Sequence, residues 1–287
     1  MCRLFGLSGG SERVHATFWL LEAPDSLARQ SRQEPDGVGL GYFEPDGSPR
    51  VLRDPIAAYE DASFSHAARE EESSTFVAHV RYASTGDLST RNTHPFEQGG
   101  RLFAHNGVIQ DLGRLEGRLG GYLDLVQGET DSERYFALIT KEIEASSGDV
   151  GRGIVSAARW IAAELSVFSL NLVLTTPEGL WALRYPETHP LFFLERAAGG
   201  PHEVRHLDHA SAAGTVRVRS EELRALPAVV VATERMDEDP GWRPLESGSL
   251  LHVGPDLSCT VTTVIDSEPA KRLTLADLEG RAAASQS

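Results

Sequence analysis

The hydrophobic period of this chain changes at Thr130, and that change limits the fold more than any other feature. Before it, apolar runs such as "GVGLGYF" (37–43), "STFVAHVRYAS" (74–84) and "RLFAHNGVI" (101–109) are broken by Gly, Pro, Asp and Asn, the texture of strands joined by turns. From Thr130 onward Tyr135, Phe136, Leu138 and Ile139 recur at helical spacing. Thr130 and Glu133 have the separation of a capping box, so the sequence predicts a helix starting close to Asp131. A second helical pattern follows in "DVGRGIVSAARWIAAEL" (149–165). Strands then resume: "SLNLVLTT" and "GLWALRY" flank the turn "PEG", and "LFFLE", "VRVR", "AVVVAT", "SLLHV" and "CTVTTVI" come after. Strands, two helices and strands again describe segregated α+β layers rather than alternating parallel units. With no internal repeat and no Pro/Ser-rich linker, residues 1–275 read as one domain and 276–287 as a frayed tail.

Charge and cysteine content narrow the function. Lys and Arg total 27 against 42 Asp and Glu, a net charge of −15 that repels phosphate backbones and anionic membrane surfaces. No apolar stretch approaches the ~20 residues of a membrane helix, and no basic-then-apolar leader opens the chain, so a cytoplasmic protein with neither nucleic-acid nor membrane partners is expected. Cys2 and Cys259 alone support neither a disulfide framework nor a cysteine-based zinc site. Cys259 is expected to be an inert member of the last strand.

Cys2 has a chemical use that Cys259 lacks. Removal of Met1 would leave a thiol and a free α-amine on one residue, a nucleophile with its own base; the two groups have ordinary pKa values of about 8.5 and 7.7–8.0. Other segments supply what such a nucleophile needs. In "FAHNG", the Asn106 amide and the Gly107 N–H could hold an oxyanion, or form an ordinary Asn-Gly turn. Arg81, ending an apolar strand, could fork onto a carboxylate or make a surface salt bridge. Asp131 could receive an ammonium or simply cap its helix. Together they describe a pocket for an α-amino acid with a cleavable side-chain carbonyl, as in glutamine and γ-glutamyl amides.

"MCRLFG", "PDGVGLGYF", "HVRYASTG", "NTHPF", "FAHNG" and "GETDSE", in that order, resemble the class II glutamine amidotransferases of the N-terminal-nucleophile hydrolase superfamily. "VVVATERMDEDPGWRPLESGSLL" extends the likeness, to about residue 255, toward the stand-alone subgroup that includes γ-glutamyl amide hydrolases. The resemblance implies a four-layer αββα sandwich. It implies Cys2 as nucleophile and, through its α-amine, base. Arg81 then binds the glutamyl α-carboxylate, Ser84 lines the pocket, Asn106 and Gly107 hold the oxyanion, and Asp131 binds the α-ammonium. Tyr82 and Ser84 stand where relatives commonly carry Trp and Thr.

His79, His94 and His105 lie in the same segments, but they lack paired ligand spacing and an acidic cluster. They are expected to be structural, with neither metal nor cofactor required. The expected activity is hydrolysis of a γ-glutamyl-conjugated amine or peptide, or of glutamine, through a Cys2 thioester. The segment 195–225 offers material for a leaving-group site or a plain surface loop. Two other readings stay open: a glutaminase subunit passing ammonia to a separate synthase, and a silent glutamine-sensing module. A homo-oligomer is equally compatible with the sequence.

Overall fold

Period-two alternation in the strands produces two sheets that share one interior. In a computed structural model, residues 2–82, 87–198 and 226–286 are described, with the backbone of 209–210 and 217–218. The principal strands are β1 (Arg3–Ser8), β2 (Gly37–Phe43), β3 (Pro49–Asp54), β4 (Thr75–Arg81), β5 (Phe96–Gln98), β6 (Arg101–Asn106) and β7 (Asn171–Thr176). They continue with β8 (Gly179–Arg184), β9 (Phe192–Arg196), β10 (Ala228–Ala232), β11 (Arg243–Pro244), β12 (Ser249–Val253) and β13 (Cys259–Thr263). One sheet runs β11-β9-β10-β1-β4-β2-β3 and the other β13-β12-β8-β7-β6-β5, with antiparallel neighbours throughout.

Leu4 of β1 and Leu102 and Ala104 of β6 point into the space between the sheets, where Val77, Val173 and Leu251 join them. The alternate residues face outward: Phe5 and Leu7 pack under a helical layer with Trp19 and Phe64, and Phe103 packs under Tyr135, Phe136 and Ile154. The result is the four-layer αββα sandwich expected from the sequence. Among the described residues its α-helices are α1 (Leu27–Gln30), α2 (Ala62–Glu70), α3 (Leu112–Leu119), α4 (Asp131–Ala145), α5 (Val150–Glu164) and α6 (Gly280–Gln286).

α4 begins where the sequence placed it. Thr130 is the N-cap, its hydroxyl accepting the Glu133 N–H at 3.2 Å, but the reciprocal half of a capping box is replaced. The Glu133 carboxylate turns back to the Gly128 N–H at 2.6 Å, which fastens the preceding loop instead. Besides the single turn of α1, two longer helices interrupt a half read as mostly sheet. α2 is short, with only Phe64, Ala67 and Ala68 buried, and depends on Asp61 accepting from Ser63 and Phe64 N–H groups. α3 carries a helical Leu112, Leu115, Leu119 series, but Gly113 and Gly117 lower its propensity and mask it. The segment expected to fray is folded as well: α6 ends with Ser285 and Gln286 buried. No described helix is long and apolar enough to cross a membrane.

Candidate active site

The antiparallel pairing of β1 with β4 brings the start of one strand beside the end of the other, with Arg3 opposite Val80. Cys2, one residue before β1, therefore meets Arg81 and Tyr82 at one end of the sandwich. The ends of β6 and the start of α4, from the other sheet and its helical layer, complete a cleft of about 20 Å³ lined by Cys2, Arg81, Gly107, Asp131 and their neighbours. That is room for about one water.

Cys2 is 6% exposed. Its thiol donates to the Tyr82 carbonyl and its sulfur accepts the Tyr82 N–H, both at 3.3 Å. Burial pushes the thiol up to about 11, with the Glu34 carboxylate adding to the rise and the Tyr82 hydrogen bond and Arg81 opposing it. The thiol is neutral near pH 7 and must lose its proton during attack. Glu34, itself buried and held up from the usual carboxylate range by desolvation, lies 3.7 Å from the Arg3 guanidinium. The sequence gives no hint of this group, since Glu34 lies in an ordinary "QEPDG" turn.

Asn106 closes β6, and its Nδ2 donates to the Cys2 carbonyl at 2.9 Å. Its buried Oδ1 has no hydrogen-bond partner among the described residues, a cost of about 1–3 kcal/mol that an arriving donor would relieve. Gly107 follows where no other residue fits. A Cβ there would lie 1.9 Å from the Ser169 carbonyl oxygen and 2.8 Å from His105 Nε2. Gly39 plays a similar part in the wall behind, where a Cβ would come 2.0 Å from the His94 carbonyl oxygen.

Arg81 is buried and donates from Nη1 to the Asp87 carbonyl at 3.3 Å. Desolvation lowers its pKa, while Cys2 when ionised and the charges of Asp36 and Asp131 work to restore it. Asp131, 2% exposed, occupies the first position of α4 rather than the cap, so the capping alternative belongs to Thr130. The Oδ2 of Asp131 accepts the Ile109 N–H at 2.8 Å and so ties the loop after Gly107 to the positive end of α4. Ser84 lies outside the described residues, as does most of the segment 195–225.

The three histidines divide into two kinds. His105 Nε2 donates to the Ser169 carbonyl and Nδ1 accepts from the Ser132 hydroxyl, each at 3.0 Å; a carbonyl can only accept, which fixes the neutral tautomer. His79 and His94 instead face one another at 4.3 Å between ring centroids, and none of their four nitrogens has a hydrogen-bond partner among the described residues. Burial drives both down, His79 to about 3, so both rings are neutral. Among the described residues no group of three or more His, Cys, Asp or Glu could hold a metal ion. Cys259 begins β13, half-buried and away from the cleft, its thiol raised by desolvation.

A family model described as class-II glutamine amidotransferases matches residues 1–274. An uncharacterized protein of Methanocaldococcus jannaschii is 30% identical over 260 residues, 88% of this chain and 68% of that protein. The gamma-glutamyl-hercynylcysteine sulfoxide hydrolase of Mycobacterium tuberculosis is 37% identical over 120 residues, which span 38% of this chain and half of that enzyme. Among solved structures, the glutamine phosphoribosylpyrophosphate amidotransferase of B. subtilis has a TM-score of 0.64 at 18% identity, covering 93% of this chain and 50% of that one.

Proposed function

We propose that this chain, which belongs to the class-II glutamine amidotransferases, hydrolyses a γ-glutamyl amide through a thioester on Cys2. The observation that carries the reading is convergence: the Cys2 thiol, the Arg81 guanidinium, the Gly107 backbone and the Asp131 carboxylate line one small cleft. A cation, an anion and a thiol at one site match the α-carboxylate, α-ammonium and side-chain carbonyl of a glutamyl group.

The raised thiol requires a base, and the α-amine exposed on loss of Met1 fills that role. As that amine takes the thiol proton, sulfur attacks the γ-carbonyl carbon and the carbonyl oxygen becomes an oxyanion. The second N–H of Asn106 Nδ2 and the Gly107 N–H stabilise that charge. The tetrahedral intermediate collapses by breaking the C–N bond, and the ammonium returns its proton to the departing amine. Water then attacks the thioester, with the amine again acting as base, and releases glutamate and the free thiol. His105 is engaged at both nitrogens by Ser132 and Ser169, and burial makes His79 and His94 weaker bases than an ordinary imidazole, so the reading assigns the base to the α-amine.

Similarity to a hydrolase of a γ-glutamyl conjugate supports hydrolysis of a conjugated amine over delivery of ammonia to a synthase. The test is a mass-spectrometric screen of the purified protein against glutamine, glutathione and a panel of γ-glutamyl amines, with intact-mass analysis of the active fraction. The reading expects loss of Met1, and glutamate released from at least one conjugate faster than from glutamine. An active enzyme that retains Met1 would refute the α-amine as base. Glutamine as the sole substrate would favour the ammonia-supplying alternative.

A further inference from the structure

His79 and His94 are buried in the cleft, yet the reaction above gives them nothing to do. Along β4 the residues Val77, His79 and Arg81 alternate onto the face turned toward the second sheet, with Leu4 of β1 opposite His79. His79 therefore stands one alternation further into the sandwich than Arg81. Its partner on the other side is Gly39 of β2, whose missing Cβ leaves space for the His94 carbonyl. That close approach sets the His94 ring 4.3 Å from the His79 ring and 4.7 Å from Phe96, between centroids. Both imidazoles line the same cleft as the Cys2 thiol and Gly107.

His79 is 1% exposed and His94 5%, and no nitrogen of either ring has a hydrogen-bond partner among the described residues. Burial keeps both neutral near pH 7, so each presents one N–H donor and one lone pair. Buried polar groups are as a rule satisfied, either by protein or by ordered water. His105, in the same cleft, shows the first solution in its bonds to Ser132 and Ser169. For His79 and His94 the cleft offers the second: about 20 Å³, the size of one water, bounded by two rings that can each donate and accept.

We propose that His79 and His94 together seat the water that hydrolyses the Cys2 thioester, a nitrogen of one ring accepting a hydrogen bond from it and a nitrogen of the other donating to it. This rests on the γ-glutamyl reading above and deepens it, because a seat for water makes water the acceptor of the glutamyl group. Two bonds to the rings leave the water one O–H for the Cys2 α-amine and one lone pair for the thioester carbon. The O–C bond forms as that proton passes to the amine; collapse breaks the C–S bond, and the ammonium returns the proton to sulfur. The rings are positioning residues and hold no proton of the reaction. Arg81 stands nearer the strand end, so the head group and the water use different parts of the cleft.

The test reads how the glutamyl-enzyme divides between two acceptors, a ratio that does not depend on whether acylation or deacylation limits turnover. The full chain cleaves γ-glutamyl-p-nitroanilide in the presence of hydroxylamine, and glutamate and γ-glutamyl hydroxamate are quantified by mass spectrometry. Hydroxylamine is too large for a seat of one water and attacks without it. His79→Leu and His94→Leu should each raise the hydroxamate-to-glutamate ratio about ten- to a hundredfold through loss of water positioning. His94→Gln keeps a donor and an acceptor and should remain within about threefold of wild type. A merely structural role would lower both products together, and an unchanged ratio in the Leu variants would overturn the proposal. A second measurement needs no variant: a crystal structure of the wild type should show an ordered water within hydrogen-bond distance of one nitrogen on each ring, and rings bridged by no water would overturn it equally. If the wild type forms neither product from any γ-glutamyl amide, the functional reading falls and this proposal with it. If it forms both while the Leu variants keep the wild-type ratio, only this proposal falls.

Discussion

Replacing Asp131 by Asn separates recognition of an ammonium from support of the loop. The carboxylate Oδ2 accepts the Ile109 N–H at 2.8 Å, and an asparagine carbonyl oxygen can occupy the same place, so the loop keeps its tether. What is lost is charge. The tether falls from a charge-assisted to a neutral hydrogen bond, and the favourable position at the start of α4 disappears, together about 1–2 kcal/mol of stability. Toward a substrate ammonium the loss is a charged hydrogen bond in a buried site, about 1.5–3 kcal/mol, which corresponds to about 10- to 150-fold in kcat/KM. The assay compares γ-glutamyl-p-nitroanilide with glutaryl-p-nitroanilide, which lacks only the α-amine. Wild type should prefer the glutamyl amide by a factor in that range, whereas Asp131→Asn should prefer it by no more than a few-fold. Equal hydrolysis of the two amides by the wild type would refute the recognition argument and leave Asp131 as a loop tether.

Three further outcomes follow from the geometry. Asn106→Ala should lower kcat by about 10²–10³ with KM little changed, because its amide faces charge that develops only during reaction; steady-state kinetics decide this. The Cys2 thiol holds its proton longer in the folded than in the unfolded chain, so its contribution is complete below about pH 9 and lost as pH rises toward about 11. Denaturant unfolding should show wild type losing about 2–3 kcal/mol more than Cys2→Ala across that window. His79 has the opposite dependence: its pKa falls from 6.5 to about 3, so stability present above pH 6.5 is lost as the unfolded chain gains the proton first. Between pH 7 and 5 that is about 2 kcal/mol, and His79→Gln should show a correspondingly shallower decline.

Much of the site was legible because its parts end elements whose patterns are strong. Arg81 closes β4, Asn106 closes β6 and Asp131 opens α4, so strand and cap signals fixed where each would stand. Their convergence was not legible from local pattern, since it depends on antiparallel pairing between Cys2 and Tyr82, residues eighty positions apart. Glu34 escaped notice because a turn acid becomes significant only when folding buries it near a thiol. The histidines of the motif segments look alike in sequence, yet Ser132 and Ser169 satisfy His105 while the rings of His79 and His94 have no hydrogen-bond partner among the described residues and pack on each other and Phe96. α6 was missed for a related reason. "GRAAASQ" has no strong apolar stripe, and its seat is a small cluster with Val108 and Phe168 together with a polar contact at His189.

The central claim is a glutamyl group carried on the sulfur of Cys2. Rapid acid quench during turnover of a γ-glutamyl amide, followed by peptide mass spectrometry, should find one glutamyl acyl group on the N-terminal peptide that begins at Cys2, absent from Cys2→Ser. Turnover with the acyl group on Cys259, or with no acylated cysteine under conditions that preserve thioesters, would contradict it.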